Sequence, residues 1–278
     1  MLYRRVQPFQ IRSRPSIWLP SQRLPSRSSK MLRMSLAVMC AIWVIERVVV
    51  VTPNPVEATL VVARELGIGE VYAIGGAQAV AALAYGTETV TRVDRIVGPG
   101  NAYVTAAKLL VSSAVGIDLP AGPSEVVVIA DGSAAPERVA VDLLAQAEHG
   151  SESDALLLTP DRALLEAVAP LVVSAPNVRL ELVEALVEAV ARANEYAPEH
   201  LELHVAEPEP LVALVRNAGA VFVGCSSVLG DYAAGATHVL PTSGLARSVG
   251  GLGIEAYLKP VQLVRATPEG VRRAGEVV

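Results

Sequence analysis

The sequence predicts an α/β fold built from parallel βαβ units, and three observations support this class. The 278 residues are 52% apolar and only 4% aromatic, which is enough apolar volume for a real core. The chain holds 21 Gly and 19 Pro, as expected where many tight turns join strands to helices. Short β-branched runs alternate with segments of helical spacing. This composition excludes a disordered, fibrous or disulfide-stapled chain and allows one large or two ordinary domains.

The alternation of strand and helix begins after Glu46, and the unit occurs three times. The predicted strands and the helices that follow them are 47–51 and 56–66, 70–74 and 77–85, and 95–97 and 101–111. Gly67 and Gly86 end the first two helices. Parallel βαβ units have right-handed crossovers and a ligand crevice at the carboxyl ends of their strands, so functional residues are expected in these turns.

Further elements follow in the second half of the chain. The pattern predicts a buried strand over 126–130, a helix after Pro136 that ends before Gly150, a long amphipathic helix over 180–194 and a strand over 220–224. Alternation beyond residue 200 places Glu202 and His204 opposite Leu201 and Leu203. We therefore expect His204 to lie on the surface.

The formal net charge of -5 conceals a basic N-terminal segment. Residues 1–45 hold eight basic residues and no acidic residue, which leaves a net charge of -13 on the remainder. The acidic character of residues 46–278 argues against binding to duplex nucleic acid. The apolar run 35–45 is too short to span a membrane. We interpret residues 1–45 as a non-native or poorly ordered leader, with a targeting peptide as the alternative.

The two cysteines cannot form a disulfide framework. Cys40 and Cys225 lie in segments of very different character, and neither belongs to a CxxC motif. A reducing, cytoplasmic setting is therefore predicted, with Cys225 as an ordinary loop thiol.

Two glycine turns could receive a dinucleotide. Gln78 and Asn101 each stand just beyond such a turn, where a side-chain amide can bind a ribose or a carboxamide. Glycine lets a ligand approach the backbone, and the N–H groups of the next helix favour negative charge. Neither turn is a G-x-G-x-x-G fingerprint, so tight βα turns with Asn101 as a helix cap remain an equal alternative.

Three later segments carry candidate chemistry. A stiff loop at 120–123 would fix the hydroxyl of Ser124 for an orienting hydrogen bond, since no nucleophile elbow surrounds it. Glu199 and His200 adjoin after a proline and could act as a general acid/base pair, or lie in a solvated polar turn. Asp231 follows a glycine and could offer a hard oxygen ligand. The role of His238 stays open between structure and catalysis.

A possible metal site lies at the end of the helix that follows Pro136. Gln146 and His149 are three residues apart and share one face of its last turn. An imidazole and an amide oxygen there could share a Zn²⁺ ion. The alternative is that His149 only complements the dipole at the end of the helix.

Six motifs together resemble the histidinol dehydrogenase family. They occur in the family's order and are GGAQA at 75–79, GPGN at 98–101, DLPAGPSE at 118–125, QAEHG at 146–150, APEHL at 197–201 and GDY at 230–232. The resemblance implies Rossmann-like lobes and the oxidation of L-histidinol, through L-histidinaldehyde, to L-histidine with two NAD⁺ and one Zn²⁺. It also implies a homodimer with shared active sites.

The resemblance carries roles to individual residues. Gln146, His149 and Asp231 match zinc ligands, and these three with Ser124, Glu199 and His200 match the substrate site. The NAD contacts match Gln78 and Asn101. Glu199 and His200 match the acid/base pair, in which His200 takes the hydroxyl proton and Glu199 activates water.

The domain prediction follows the resemblance and its departures. It comprises the leader (1–45), a partial NAD-binding Rossmann-like lobe (46–124), a catalytic, zinc-binding α/β lobe (125–251) and a truncated C-terminal tail (252–278). Relative to the family, the N-terminal portion and a zinc-ligating C-terminal histidine have no counterpart here, so we expect incomplete lobes and little activity. The alternatives are an impaired family member that at most binds ligand and, from site chemistry alone, a zinc hydrolase.

Overall fold

The computed structural model describes residues 45–120, 122–230 and 237–275. Its strands are β1 (Val49–Val51), β2 (Glu70–Tyr72), β3 (Arg95–Ile96), β4 (Gly116–Ile117), β5 (Glu125–Ala130), β6 (Asp154–Thr159), β7 (Val178–Leu182), β8 (His200–His204) and β9 (Ala220–Val223). Its α-helices are α1 (Glu57–Glu65), α2 (Gly76–Tyr85), α3 (Ala102–Val111), α4 (Pro136–Ala147), α5 (Arg162–Val168), α6 (Leu186–Tyr196), α7 (Glu209–Val212), α8 (Ser227–Leu229) and α9 (Pro268–Gly275). Among these residues, no helix has both the length and the apolar character needed to cross a bilayer.

The first four strands form two small parallel sheets. β1 pairs with β2, and β3 pairs with β4. Side chains of α2 and α3 pack with these strands in one apolar cluster that includes Val80, Leu83 and Val111. Gly67 and Gly86 end α1 and α2 with φ of 71° and 81°, so the predicted helix stops are confirmed.

The larger sheet has five parallel strands in the order β7-β6-β5-β8-β9. Every residue of β5 is buried, as expected for a central strand covered on both faces. α4 and α5 pack on one face and α6 on the other, with Leu143 and Val190 each buried in one of the two layers. The predicted α/β class with parallel βαβ units is therefore confirmed.

One predicted helix begins too early. Residues 178–182 form β7, which pairs with β6, and the helix starts only at Leu186. Arg179 pairs with Asp154 of the neighbouring strand, its Nη2 lying 2.6 Å from Oδ2. The backbone pairing with β6 holds this segment extended and the ion pair adds to it, neither of which the local spacing of apolar residues shows.

The predicted surface position of His204 is wrong. Its side chain does lie on the face of β8 opposite Leu201 and Leu203, as the alternation requires. That face is covered by α4, and His204 is buried beside Asp142. Alternation assigns residues to faces, but it does not reveal which helix covers a face.

Candidate active site

The adjacent Glu199 and His200 stand where α6 gives way to β8. The helix ends at Tyr196 and is capped by Ala197, a non-glycine residue with a left-handed φ of 57°. Pro198 then turns the chain, and its carbonyl accepts a hydrogen bond of 2.9 Å from the N–H of Gly219. Ala197 and Pro198 are both buried. This tight turn fixes the directions of the Glu199 and His200 side chains where β8 begins.

The carboxylate of Glu199 is held by two donors. Ser124 Oγ donates to Oε2 over 2.6 Å, and the N–H of Glu125 donates to the same oxygen over 3.2 Å. Glu199 is 8% exposed. These hydrogen bonds fix the direction of one carboxylate oxygen. The structure thus brings Ser124 and Glu199 together from elements 75 residues apart.

His200 is buried without a hydrogen-bond partner. The ring is 5% exposed, and neither nitrogen has a partner among the described residues. Nδ1 lies 3.7 Å from Glu199 Oε2, too far for a hydrogen bond, and the ring centroid lies 5.7 Å from that of Phe222. A buried imidazole costs free energy until it is paired, so both nitrogens are available to a ligand.

A second carboxylate, not assigned a role by the sequence, lies beside this pair. Glu125 Oε1 accepts a hydrogen bond of 2.9 Å from the N–H of Ser243, and its Oε2 has no partner among the described residues. Burial raises the pKa of Glu125. Ser243 has a left-handed φ of 55°. The only signal in the sequence was a glutamate at the start of an apolar strand.

Gly219 closes the turn from the opposite side. A Cβ on this residue would lie 2.6 Å from the carbonyl oxygen of Glu199. We expect Gly219→Ala to lower the free energy of unfolding by about 1–3 kcal/mol, because the β8 start must shift. Urea denaturation measures this, with Gly69→Ala as the control because no atom lies within 4 Å of its added methyl. Equal effects of the two substitutions would contradict the expected clash.

Gln146 and His149 stand at the C-terminal end of α4. The Gln146 side chain is buried, and its Nε2 has no partner among the described residues. His149 is exposed, and its Nδ1 lies 2.9 Å from the carbonyl oxygen of Ala145. Since a carbonyl only accepts, Nδ1 carries the proton and Nε2 keeps a lone pair. This orientation suits a metal ligand. Asp231, the third predicted ligand, lies outside the described residues.

The predicted cofactor residues occupy the two glycine turns. Gln78 is exposed in the first turn of α2, beside Gly76, whose φ is 70°. Asn101 caps α3, its Oδ1 accepting a hydrogen bond of 3.1 Å from the N–H of Val104. The capping alternative is thus realised, and it leaves the amide N–H₂ group of Asn101 uncommitted by the cap. Within the described part of the chain, no hydrogen bond joins Gln78 or Asn101 to Glu199.

A buried ion pair that sequence reasoning missed supports the second turn. Lys108 and Asp118 are both buried and form a salt bridge. Asp118 Oδ2 accepts a hydrogen bond of 2.7 Å from the N–H of Gly98, and Lys108 Nζ donates over 3.0 Å to the Gly98 carbonyl. The N–H and the carbonyl of Gly98 are therefore both held by side chains, one from Asp118 just after β4 and one from Lys108 on α3.

The larger sheet presents its site at the amino ends of its strands. Ser124 precedes β5, Glu199 and His200 begin β8, and α4 ends at the same edge because it connects two parallel strands. The sequence predicts a crevice at the carboxyl ends only for the glycine turns after β2 and β3, where it stays a prediction, whereas Ser124 and Glu199 lie at the amino edge of the larger sheet.

Comparison with known proteins identifies the family. The histidinol dehydrogenase family model matches residues 7–278. The chain belongs to the histidinol dehydrogenase family. Histidinol dehydrogenases of Thermosynechococcus vestitus and Cereibacter sphaeroides are each 48% identical to it, over 84% and 83% of this chain and 59% and 58% of their own lengths. The chain thus spans about six-tenths of these two histidinol dehydrogenases.

A solved structure agrees with this membership. The crystal structure of histidinol dehydrogenase from Elizabethkingia anophelis superposes with a TM-score of 0.81 at 37% identity. The superposition covers 90% of this chain and 62% of that one. The fold of this histidinol dehydrogenase family member is therefore that of a solved relative.

Proposed function

We propose that the chain carries the active-site core of an enzyme that oxidises L-histidinol through L-histidinaldehyde to L-histidine. The observation that carries the proposal is the buried arrangement at the start of β8, where Glu199 is aimed by Ser124 and His200 has two unpaired nitrogens. Family membership supports the same reaction. NAD⁺ and Zn²⁺ dependence and a homodimeric assembly with shared active sites belong to this proposal.

The residues fit a zinc ion. Buried Gln146 would offer its side-chain amide oxygen, and neutral His149 would offer the lone pair of Nε2 while its Nδ1 donates to a carbonyl. These two residues, with Asp231, would hold the ion. When bound, Zn²⁺ supplies a fixed point for the substrate's imidazole and amine, and NAD⁺ supplies the hydride acceptor.

In the first oxidation, His200 is the proton acceptor. It takes the proton of the histidinol hydroxyl as the carbinol carbon loses a hydride, which leaves the aldehyde. Because His200 is buried, its proton-accepting nitrogen is shielded from bulk water. Ser124 orients the neighbouring carboxylate of Glu199.

The second oxidation requires water, and Glu199 is the base. Its carboxylate takes one proton from the water as the remaining hydroxide adds to the aldehyde carbon, giving the monoanion of the hydrate. Loss of a second hydride from that carbon yields the carboxylic acid of histidine, which releases its proton to become the carboxylate. Four electrons therefore leave the substrate, two for each NAD⁺ reduced.

Gln78 and Asn101 are the proposed dinucleotide contacts. The first N–H groups of α2 and α3 lie at their turns, where a pyrophosphate is favoured. The Lys108–Asp118 pair keeps the second turn in one conformation. A zinc hydrolase would have no use for these turns, so NAD⁺ binding distinguishes the two chemistries.

The test is NADH formation with L-histidinol, NAD⁺ and Zn²⁺. It should be made on this chain and on a version extended at both ends to the length of the relatives. We expect histidinol-dependent NADH in the extended protein, its loss on chelation and its return on adding Zn²⁺. Activity that survives full metal removal would contradict the zinc assignment, and zinc-dependent hydrolysis without NAD⁺ binding would contradict the dehydrogenase.

A further inference from the structure

A buried cluster of ionisable side chains lies next to the candidate active site. It consists of Asp142 on α4 with Glu202 and His204 on β8, which are 7%, 0% and 6% exposed. His204 Nε2 lies 3.1 Å from Glu202 Oε2 and 3.1 Å from Asp142 Oδ2. Neither the family motifs nor the proposed chemistry uses these three residues as reacting groups.

The cluster is held together by charge. Nε2 has one proton, which forms a hydrogen bond with Glu202, whereas its contact with Asp142 Oδ2 is ionic without a well-directed hydrogen bond. Burial lowers the pKa of His204, but its two carboxylate partners outweigh burial and raise the pKa to about 9. The ring is thus a cation at neutral pH, between two carboxylates.

A third segment joins the cluster. Glu202 Oε1 accepts a hydrogen bond of 2.6 Å from the N–H of Ser227, the first residue of α8. Burial alone would raise the pKa of Asp142, but the nearby His204 and Ser226, the residue that caps α8, together lower it. Asp231 follows α8 after one intervening residue. The cluster therefore links α4, β8 and α8.

Helix and strand geometry relate the cluster to the candidate site. Gln146 is one turn beyond Asp142 on the same face of α4, about 6 Å along the helix. His200 is two residues before Glu202 on the same face of β8, about 7 Å along the strand. Because α4 runs opposite to the strands, going from Asp142 to Gln146 and from Glu202 to His200 leads in both cases toward the amino edge of the sheet.

We propose that Asp142, Glu202 and His204 are positioning residues that fix the C-terminal end of α4, the start of β8 and α8 relative to one another. They thereby set the spacing of the proposed zinc ligands and the acid/base pair. The part of this proposal that concerns the zinc ligands and the acid/base pair rests on the proposed function. The structural link between α4, β8 and α8 does not depend on it.

Amide hydrogen exchange on the full chain tests the link directly. In His204→Leu the cation is lost and two carboxylates face each other unpaired. The matched control is Leu157→Ala, a buried change in the same sheet outside the cluster. At equal free energy of unfolding, we expect exchange at residues 146–149 and 227–229 to be at least about tenfold faster in His204→Leu. Equal exchange in the two variants would overturn the proposal.

Two conservative variants extend the test. His204→Gln keeps an N–H donor beside the carboxylates, so it should restore most of the protection. If His204→Leu does not fold, Glu202→Gln takes its place, since it keeps an acceptor for Ser227 but gives up the charge that His204 contacts. Unchanged exchange in Glu202→Gln would then refute the link.

Zinc affinity, measured by chelator competition, connects the link to the site. His204→Leu should bind Zn²⁺ roughly tenfold more weakly than Leu157→Ala, with recovery in His204→Gln. An unaltered protein that binds no Zn²⁺ would contradict the proposed metal dependence, while exchange would still decide the positioning role. Loss of a bound metal equivalent in His204→Gln without faster exchange would instead make the cluster a metal site and overturn our assignment.

Discussion

Replacing His200 with Asn is expected to lower kcat for histidinol-dependent NADH formation by about 10²–10⁴-fold in the extended protein. In the proposed mechanism the imidazole receives the hydroxyl proton, and an amide of similar polarity cannot do so. The side chain has no hydrogen-bond partner among the described residues, so the substitution breaks no visible hydrogen bond. Steady-state kinetics would show the loss mainly in kcat.

The companion substitution Glu199→Gln separates the two oxidations. Since the proposed mechanism uses Glu199 to activate water only in the second oxidation, the NADH formed per histidinol should fall from two toward one as aldehyde accumulates. Thermal unfolding of both variants controls for misfolding. A loss of less than tenfold in correctly folded His200→Asn would rule out the proton-acceptor role.

Lys108→Met is expected to lower the free energy of unfolding by about 3–5 kcal/mol, because it leaves Asp118 buried without its cation. Both side chains are at most 4% exposed. The same change should raise KM for NAD⁺ more than it changes kcat, since the Gly98 carbonyl loses its donor. Urea denaturation and NAD⁺ titration measure the two effects.

Two controls accompany this prediction. Arg162→Met removes a cation from the exposed pair with Glu166 and should cost no more than about 1 kcal/mol. Adding Asp118→Asn to Lys108→Met removes the orphaned charge and should restore part of the lost stability. Comparable losses for Lys108→Met and Arg162→Met would show that the buried pair is unimportant.

The order of strands and helices was predictable because local signals mark it. Glycines with positive φ follow the ends of α1 and α2, and runs of β-branched residues form β1 and most of β5. Residues 180–182 fit a helical pattern because Leu180, Val183 and Val187 are three or four residues apart, while the strand partners of this segment, residues 157–159, lie far away in sequence. Pairing across a sheet is invisible to a local pattern.

The candidate site was predictable at the level of residues but not of architecture. Motifs named Ser124, Glu199 and His200, yet nothing local showed that Ser124 donates to Glu199, or which edge of the sheet they share. Buried ionisable groups were the hardest to recognise. Lys108 looks like a surface lysine of a helix, and His204 follows a half-exposed pattern, because burial depends on elements distant in sequence.

The pairing of β5 with β8 has a consequence for how the chain folds. These neighbouring strands are separated by β6 and β7 in sequence, and the hydrogen bond from Ser124 to Glu199 closes 75 residues. Contacts of such long range form only after a large loss of chain entropy, so they arise late. A collapsed chain with its helices in place would still lack an oriented Glu199, so we expect the geometry of the candidate site to form late in folding.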